Sequence, residues 1–260
     1  MRRFLTSIGL MGLAWFIAAP ALAQTDFEWT GQLAPGQSIE VIGVNGSIHA
    51  SAARGGNIAV TAAKTARRSN PAEVRIETVA HAGGVTICAI YPSPDGREPN
   101  ECRPGGRGRN NSRDNDTRVD FTVQVPAGIG LLARTVNGSI DAEGLQSDTE
   151  GTTVNGSVSV STTGSARATT VNGSINATMD RAVWSNGGKF TTVNGAVTVR
   201  LPATVNAEVR ASTVSGGIQS DFPLQMGNDP GPKHAEGVLG AGGQRLDIST
   251  VNGAISLLRR

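Results

Sequence analysis

Four carboxylates fall within ten residues, Asp141, Glu143, Asp148 and Glu150, and a pair of acids flanking the scissile bond is what glycoside hydrolysis requires. The surrounding pattern weighs against a site. Asp141 and Glu143 follow one copy of a recurring phrase, and the equivalent residues after the next two copies are Ser159 and Ser161, then Asn176 and Thr178. Acids confined to one copy read more economically as a solvated turn. The stretch Asn110-Asn111-Ser112-Arg113-Asp114-Asn115-Asp116 carries oxygen ligands of the kind calcium takes, but it lacks the glycine and the distal glutamate of an EF-hand loop. No Gly-x-Ser-x-Gly elbow occurs, and the run Gly105-Gly106-Arg107-Gly108 is followed by no Gly-Lys-Ser/Thr, so neither an activated serine nor a phosphate loop is indicated. No catalytic, cofactor-binding or metal-ligating residue is assigned.

Cys88 and Cys102 are the only cysteines. An isolated pair oxidises if the chain is exported, as its amino-terminal residues read below, and closing a loop of about 15 residues contributes about 3 kcal/mol in the chain-entropy model. With no CxxC spacing, and with His49, His81 and His234 far from both thiols in sequence, a zinc or redox site is disfavoured. A structural disulfide is the expectation. Trp29 and Trp184 are expected in a cap or in the core, since a tryptophan buries a large apolar surface.

The element that must position any of these residues is the phrase Thr-Val-Asn-Gly-Ser-Ile. It is complete at Thr135 to Ile140 and Thr170 to Ile175, varied at Thr153 to Val158, Thr192 to Val197, Thr213 to Ile218 and Thr250 to Ile255, and foreshadowed at Val44 to Ile48. From Val136 the copies step by 18, 17, 22 and 21 residues to Val154, Val171, Val193 and Val214. A fixed period of this size marks a repeat architecture. Asn-Gly between alternating apolar residues is also the strongest short hairpin signal, so an antiparallel meander competes with a solenoid. The solenoid is favoured, because stacked coils demand the same residue at the same place whereas a hairpin accepts many turns. The expected fold is all-β, a single elongated β-helix-like solenoid with repeats of about 17–22 residues. In it Asn45, Asn137, Asn155, Asn172, Asn194 and Asn252 would form an amide ladder.

Composition agrees. There are 34 glycines, six phenylalanines and one tyrosine, which suits thin β layers filled by Val, Ile, Leu and Ala. Arg2 and Arg3, an apolar run from Phe4 to Ala19 and the small-x-small site Ala21-Leu22-Ala23 read as a signal peptide over residues 1–23. Without it, 23 − 2 = 21 Lys+Arg face 21 Asp+Glu. The net charge of residues 24–260 is zero, which gives no support to a nucleic-acid partner, and no apolar stretch suggests an integral membrane segment after cleavage. Residues 24–260 are expected to form one domain with two insertions, 92–118 and 222–243, both rich in Gly and Pro. The first should be a long exposed loop held by the disulfide at its base.

The run Val119 to Pro126, the Thr135-Val136-Asn137-Gly138 phrase and its later copies, and the closing Thr213-Val214-Ser215-Gly216-Gly217-Ile218 resemble a bacterial adhesin-like family, a domain of unknown function with a β-solenoid fold. The resemblance extends from about Ser38 to Leu257. It implies an exported bacterial protein of adhesion type and carries no catalytic residue with it. The expected function is therefore a non-enzymatic adhesin-like or envelope interaction protein, periplasmic or at the cell surface, with an envelope, glycan or surface partner and no cofactor. A carbohydrate-active β-helix enzyme, lyase or hydrolase, is the alternative.

Overall fold

The computed structural model describes residues 27–94, 98–181, 184, 186–227 and 231–260. The signal peptide expected at 1–23 lies outside them. The chain opens with β1 (Phe27–Gly31), then β2 (Ser38–Ile42), β3 (Ile48–Ala52), β4 (Ile58–Thr65), β5 (Arg75–His81), β6 (Gly84–Ile90) and β7 (Arg118–Val125). Three regular pairs follow: β8 (Gly130–Arg134) with β9 (Ile140–Leu145), β10 (Thr149–Thr152) with β11 (Val158–Thr162), and β12 (Ala166–Thr169) with β13 (Ile175–Met179). Next come β14 (Gly188–Thr191) with β15 (Val197–Leu201), and β16 (Ala207–Ser215) with β17 (Ile218–Ser220). The short β18 (Gln225–Met226) and β19 (Lys233–Leu239) precede β20 (Arg245–Asn252) and β21 (Ile255–Arg259).

Each copy of the phrase is the corner between the two strands of one pair. The first strand joins an eleven-stranded sheet ordered β18-β19-β16-β20-β14-β12-β10-β8-β2-β6-β5, and the second joins a ten-stranded sheet ordered β1-β4-β7-β3-β9-β11-β13-β15-β21-β17. Pairing within the array is parallel. This is the solenoid and not the meander, since a hairpin would have made successive strands antiparallel neighbours.

Alternation explains the burial. In the ten-stranded sheet Ile48, Ile140, Val158, Ile175, Val197 and Ile255 stand in register and are all buried. Their outward neighbours His49, Asp141, Ser159, Asn176, Thr198 and Ser256 form a polar row. Burying each aliphatic side chain stabilises by about 1.5–3 kcal/mol, and β-branched residues fit the pleat without losing rotamers. One apolar core runs between the sheets from Ile39 to Leu257, with Phe121, Phe190 and Trp184 inside it.

The array departs from a simple sequential stack: β2 and β3 lie between the later pairs β6/β7 and β8/β9. Strand β20 lies between β14 and β16, and β21 between β15 and β17, so the pair later in sequence fills a slot inside the array. The second insertion is not merely a loop: β19 pairs antiparallel with β16, and β18 with β19, covering that edge of the eleven-stranded sheet. At the opposite end β1 and β4 cap one sheet and β5 caps the other, again antiparallel. Trp29 sits on β1 and packs against the core.

Candidate interaction surface

The corner is built by division of labour within four residues. In Thr135, Thr153, Thr170, Thr192, Thr213 and Thr250 the side chain turns inward and is buried. Its hydroxyl donates to a glycine carbonyl of the neighbouring corner, as from Thr153 to Gly138 at 2.9 Å, Thr170 to Gly156 at 2.8 Å and Thr250 to Gly195 at 2.9 Å. The valine turns outward: Val136 is 39% exposed, Val171 37% and Val214 57%. The asparagine forms the ladder. Nδ2 donates to the preceding Oδ1 from Asn137 to Asn45, Asn155 to Asn137, Asn172 to Asn155, Asn194 to Asn172 and Asn252 to Asn194, all at 2.8–2.9 Å. Each rung leaves one amide hydrogen and one lone pair facing water. The glycine permits the approach, because a Cβ on Gly156 would fall on the Gly138 carbonyl.

Seven units thus raise a ridge of Val, with Asn beside six of them, in the spatial order Val44, Val136, Val154, Val171, Val193, Val251 and Val214. At about 4.8 Å per rung it is about 29 Å long. It carries no charged residue. Ser215 replaces asparagine at the terminal rung, where no further corner stacks on it.

At the other end the ridge meets the first insertion. Strands β6 and β7 form one more pair beside β2 and β3, but residues 91–117 replace the four-residue corner. The insertion is fastened from several sides. Cys88 and Cys102 are disulfide-bonded with Cα atoms 5.6 Å apart. Asn100 Nδ2 donates to the carbonyls of Tyr91 and Asn111, and Asn110 Nδ2 to Ala89. The Tyr91 hydroxyl donates to the Thr117 carbonyl at 2.8 Å, and burial pushes its pKa up to about 12. Glu40, buried on the outer side of β2, accepts from Thr86 Oγ1 at 2.9 Å, Gly105 N–H at 2.8 Å and Arg134 Nε at 3.2 Å, while Arg134 also reaches Glu150 at 2.8 Å. The insertion therefore folds back over the eleven-stranded sheet. Asn115 lends its carbonyl to Asn45 Nδ2 at 3.4 Å, continuing the ladder into the loop.

Between insertion and ridge lies a cleft of about 670 Å³, floored by Val44, Asn45, Val136 and Asn137 and walled by Glu98, Arg109, Asn111, Arg113 and Asp114. Arg109 pairs with Glu98, so among the described lining residues two bases face two acids.

The four clustered acids do not form one site but split into two pairs on different sheets. Asp141 and Glu143 lie on β9, Asp148 and Glu150 on or beside β10 in the other sheet. Asp141 lies 3.4 Å from His49 and accepts from Ser139 at 3.2 Å. Asp148 accepts from Ser165 N–H at 2.8 Å and from Asn186 Nδ2 at 2.7 Å. The oxygen-rich stretch 110–116 is likewise engaged in structure. Asp116 receives the backbone N–H of Ser69 at 2.9 Å and of Arg68 and Arg67 at 3.2–3.3 Å, and these bonds with the Ser69 hydroxyl hold its carboxyl at about 2. Asp120 is also held low: burial pushes it up, but the Arg118 guanidinium and the Ser47 N–H outweigh that. Among the described residues no three His, Cys, Asp or Glu side chains gather as a metal site, and no helix is long and apolar enough to cross a membrane. Sequence reading placed the asparagines in a ladder but missed the exposed valines, whose only signal was their place beside Asn-Gly.

Fold and corner together define a two-sheeted parallel β-solenoid whose repeat phrase makes a hydrogen-bonded corner ladder. The chain belongs to the Toastrack DUF4097 family, which it matches over residues 117–258, from just before β7 to the end of the array. A solved structure of a candidate cell adhesion protein from Clostridium sporogenes ATCC 15579 is similar over 90% of this chain and 99% of its own, at 12% identity and TM-score 0.41. A candidate adhesin from Bacteroides fragilis NCTC 9343 is similar over 91% and 98%, at 11% identity and TM-score 0.32. No curated protein matches significantly.

Proposed function

We propose that this chain is an exported, non-enzymatic interaction module of the bacterial cell envelope, periplasmic or surface-exposed, with residues 24–260 acting as one binding domain. The observation that carries this reading is the uncharged Val–Asn ridge, exposed along six of its rungs and running into the cleft beneath the first insertion. A rigid repeat scaffold carrying a long surface and anchored loops is suited to contact with an extended partner. Asp141, Asp148 and Glu150 are engaged by His49, by the Ser165 N–H with Asn186, and by Arg134, which supports binding over glycan cleavage, a reaction that needs one carboxyl group free to protonate the leaving oxygen.

Protease shaving of intact cells making the tagged protein, with a periplasmic control, decides the compartment. Co-sedimentation with purified sacculi and with outer-membrane vesicles then tests the ridge. The parent is expected to pellet with one of them, and a variant carrying Val136→Asp, Val171→Asp and Val251→Asp to stay in the supernatant while keeping its melting curve. Equal pelleting of both proteins, or glycan cleavage lost with Asp141→Ala and Glu143→Ala, would overturn the reading.

A further inference from the structure

The chain contains seven Asn-Gly bonds: the six of the ladder and Asn186-Gly187. Asn-Gly is the peptide bond at which asparagine side chains most readily cyclise, because glycine leaves the following backbone nitrogen unobstructed. Cyclisation needs that nitrogen free and the asparagine backbone able to turn.

In the ladder both conditions fail. The glycine N–H groups are bonded across the coils, Gly46 to Asn137 O at 2.9 Å, Gly138 to Asn155 O, Gly156 to Asn172 O, Gly173 to Asn194 O and Gly195 to Asn252 O at 3.0 Å, and Gly253 to Ser215 O at 2.9 Å. The asparagine amides are bonded rung to rung, and parallel bridges link the successive backbones. Asn186 differs. It is exposed, a second glycine follows it, and among the described residues nothing accepts from the Gly187 N–H. Its Nδ2 donates to Asp148 Oδ2 at 2.7 Å, and its backbone is tied to one flexible side chain, the N–H donating to Ser165 Oγ at 3.2 Å and the carbonyl accepting from it at 2.9 Å, so the unbonded Gly187 nitrogen is what sets this site apart.

We propose that Asn186 is a deamidation site of the folded protein, and that the corner ladder protects the other six Asn-Gly bonds. The Gly187 nitrogen loses its proton to hydroxide and attacks Cγ of Asn186. The Cγ–Nδ2 bond breaks, Nδ2 takes a proton from water and leaves as ammonia, and a five-membered imide forms. Water opens the imide to aspartate or isoaspartate. One water is consumed, one ammonia is released and one negative charge is gained. The new carboxylate stands where an amide donated to Asp148, so two like charges meet in the groove of about 350 Å³ that Asp148, Glu150, Ser165 and Arg167 also line. Modification makes that groove more acidic.

The test is incubation of the folded, oxidised protein at mildly alkaline pH, followed by peptide mapping by mass spectrometry. Asn186 is expected to convert at least about tenfold faster than any ladder asparagine, since one retained hydrogen bond of ordinary net strength approaches that factor. In concentrated urea all seven should react at similar rates. Ladder asparagines that convert as fast as Asn186 in the folded protein, or an Asn186 as slow as they are, would overturn the assignment. The consequence is tested separately. Asn186→Asp should melt below Asn186→Ser at neutral pH, with the gap closing as pH falls through the carboxylate range; equal melting points at neutral pH would remove the charge argument.

Discussion

Thr170 and Asn172 stand two residues apart in one corner and bond to the neighbouring coil in the same rhythm, yet they are unequal. The threonine hydroxyl is buried, so Thr170→Val keeps the shape and leaves the Gly156 carbonyl without its donor, at a cost of about 1–3 kcal/mol. Asn172→Ala removes two amide bonds at an exposed position, where water replaces them, and should cost under about 1 kcal/mol. Urea titration of the two variants checks the order. Asp116 supplies a pH dependence. Its carboxyl titrates at about 2 in the folded chain against an ordinary 3.8, so its contribution is present above about pH 4 and is lost as pH falls through 2. Asp116→Asn should flatten that part of the stability profile. At this scale the sequence was legible in part. The asparagine ladder could be read from repetition, whereas Thr inward and Val outward inverts ordinary polarity, because a corner must satisfy backbone carbonyls before it buries methyl groups.

At the level of the strand pair, stacking depends on how closely one corner approaches the next. Gly156→Ala places a methyl on the Gly138 carbonyl, and since backbone cannot yield there the cost should exceed about 4 kcal/mol; loss of the cooperative melt would show it. Two of the devices that hold the first insertion can be tested separately. Replacing Cys88 and Cys102 by alanine should cost about 3 kcal/mol in the chain-entropy model. Arg134→Met, which takes from the buried Glu40 carboxylate its only cation among the described residues and leaves it two hydrogen-bond donors, Thr86 and Gly105, should cost about 3 kcal/mol. Both are measurable by thermal unfolding. Composition suggested an insertion over 92–118, between β6 ending at Ile90 and β7 beginning at Arg118, but not that it stands in place of the corner of an eighth pair: β6 and β7 lack the phrase, and only their pairing with β2 and β3 reveals the kinship.

In the whole molecule, order along the chain and order in space disagree. Period and alternation made the parallel stack readable, because each coil buries its face only against its neighbours. They could not show that β20 and β21 enter between earlier pairs, since a 37-residue step from Val214 to Val251 is equally compatible with a plain detour. The one local hint was Ser215, a rung with no asparagine because it ends the ladder. Removing residues 244–260 should therefore not shorten the stack by one unit. It should strip β16 and β17 of their parallel neighbours and abolish the cooperative transition in circular dichroism, whereas an end-on repeat would lose only its own share.

That interposed pair sets a direction in time as well as in space. A chain delivered from its amino terminus presents β16 and β17 before the strands they must rest against exist, and β15 faces an empty berth until residues 255–259 arrive. The coils up to β14 and β15 are neighbours of one another and can stack first, but the last earlier pair, β16 and β17, cannot join them until β20 and β21 fill the gap. The stack behaves like an arch with its keystone cut last, and until that piece drops in, the growing chain keeps an unpaired strand edge open to whatever escorts it.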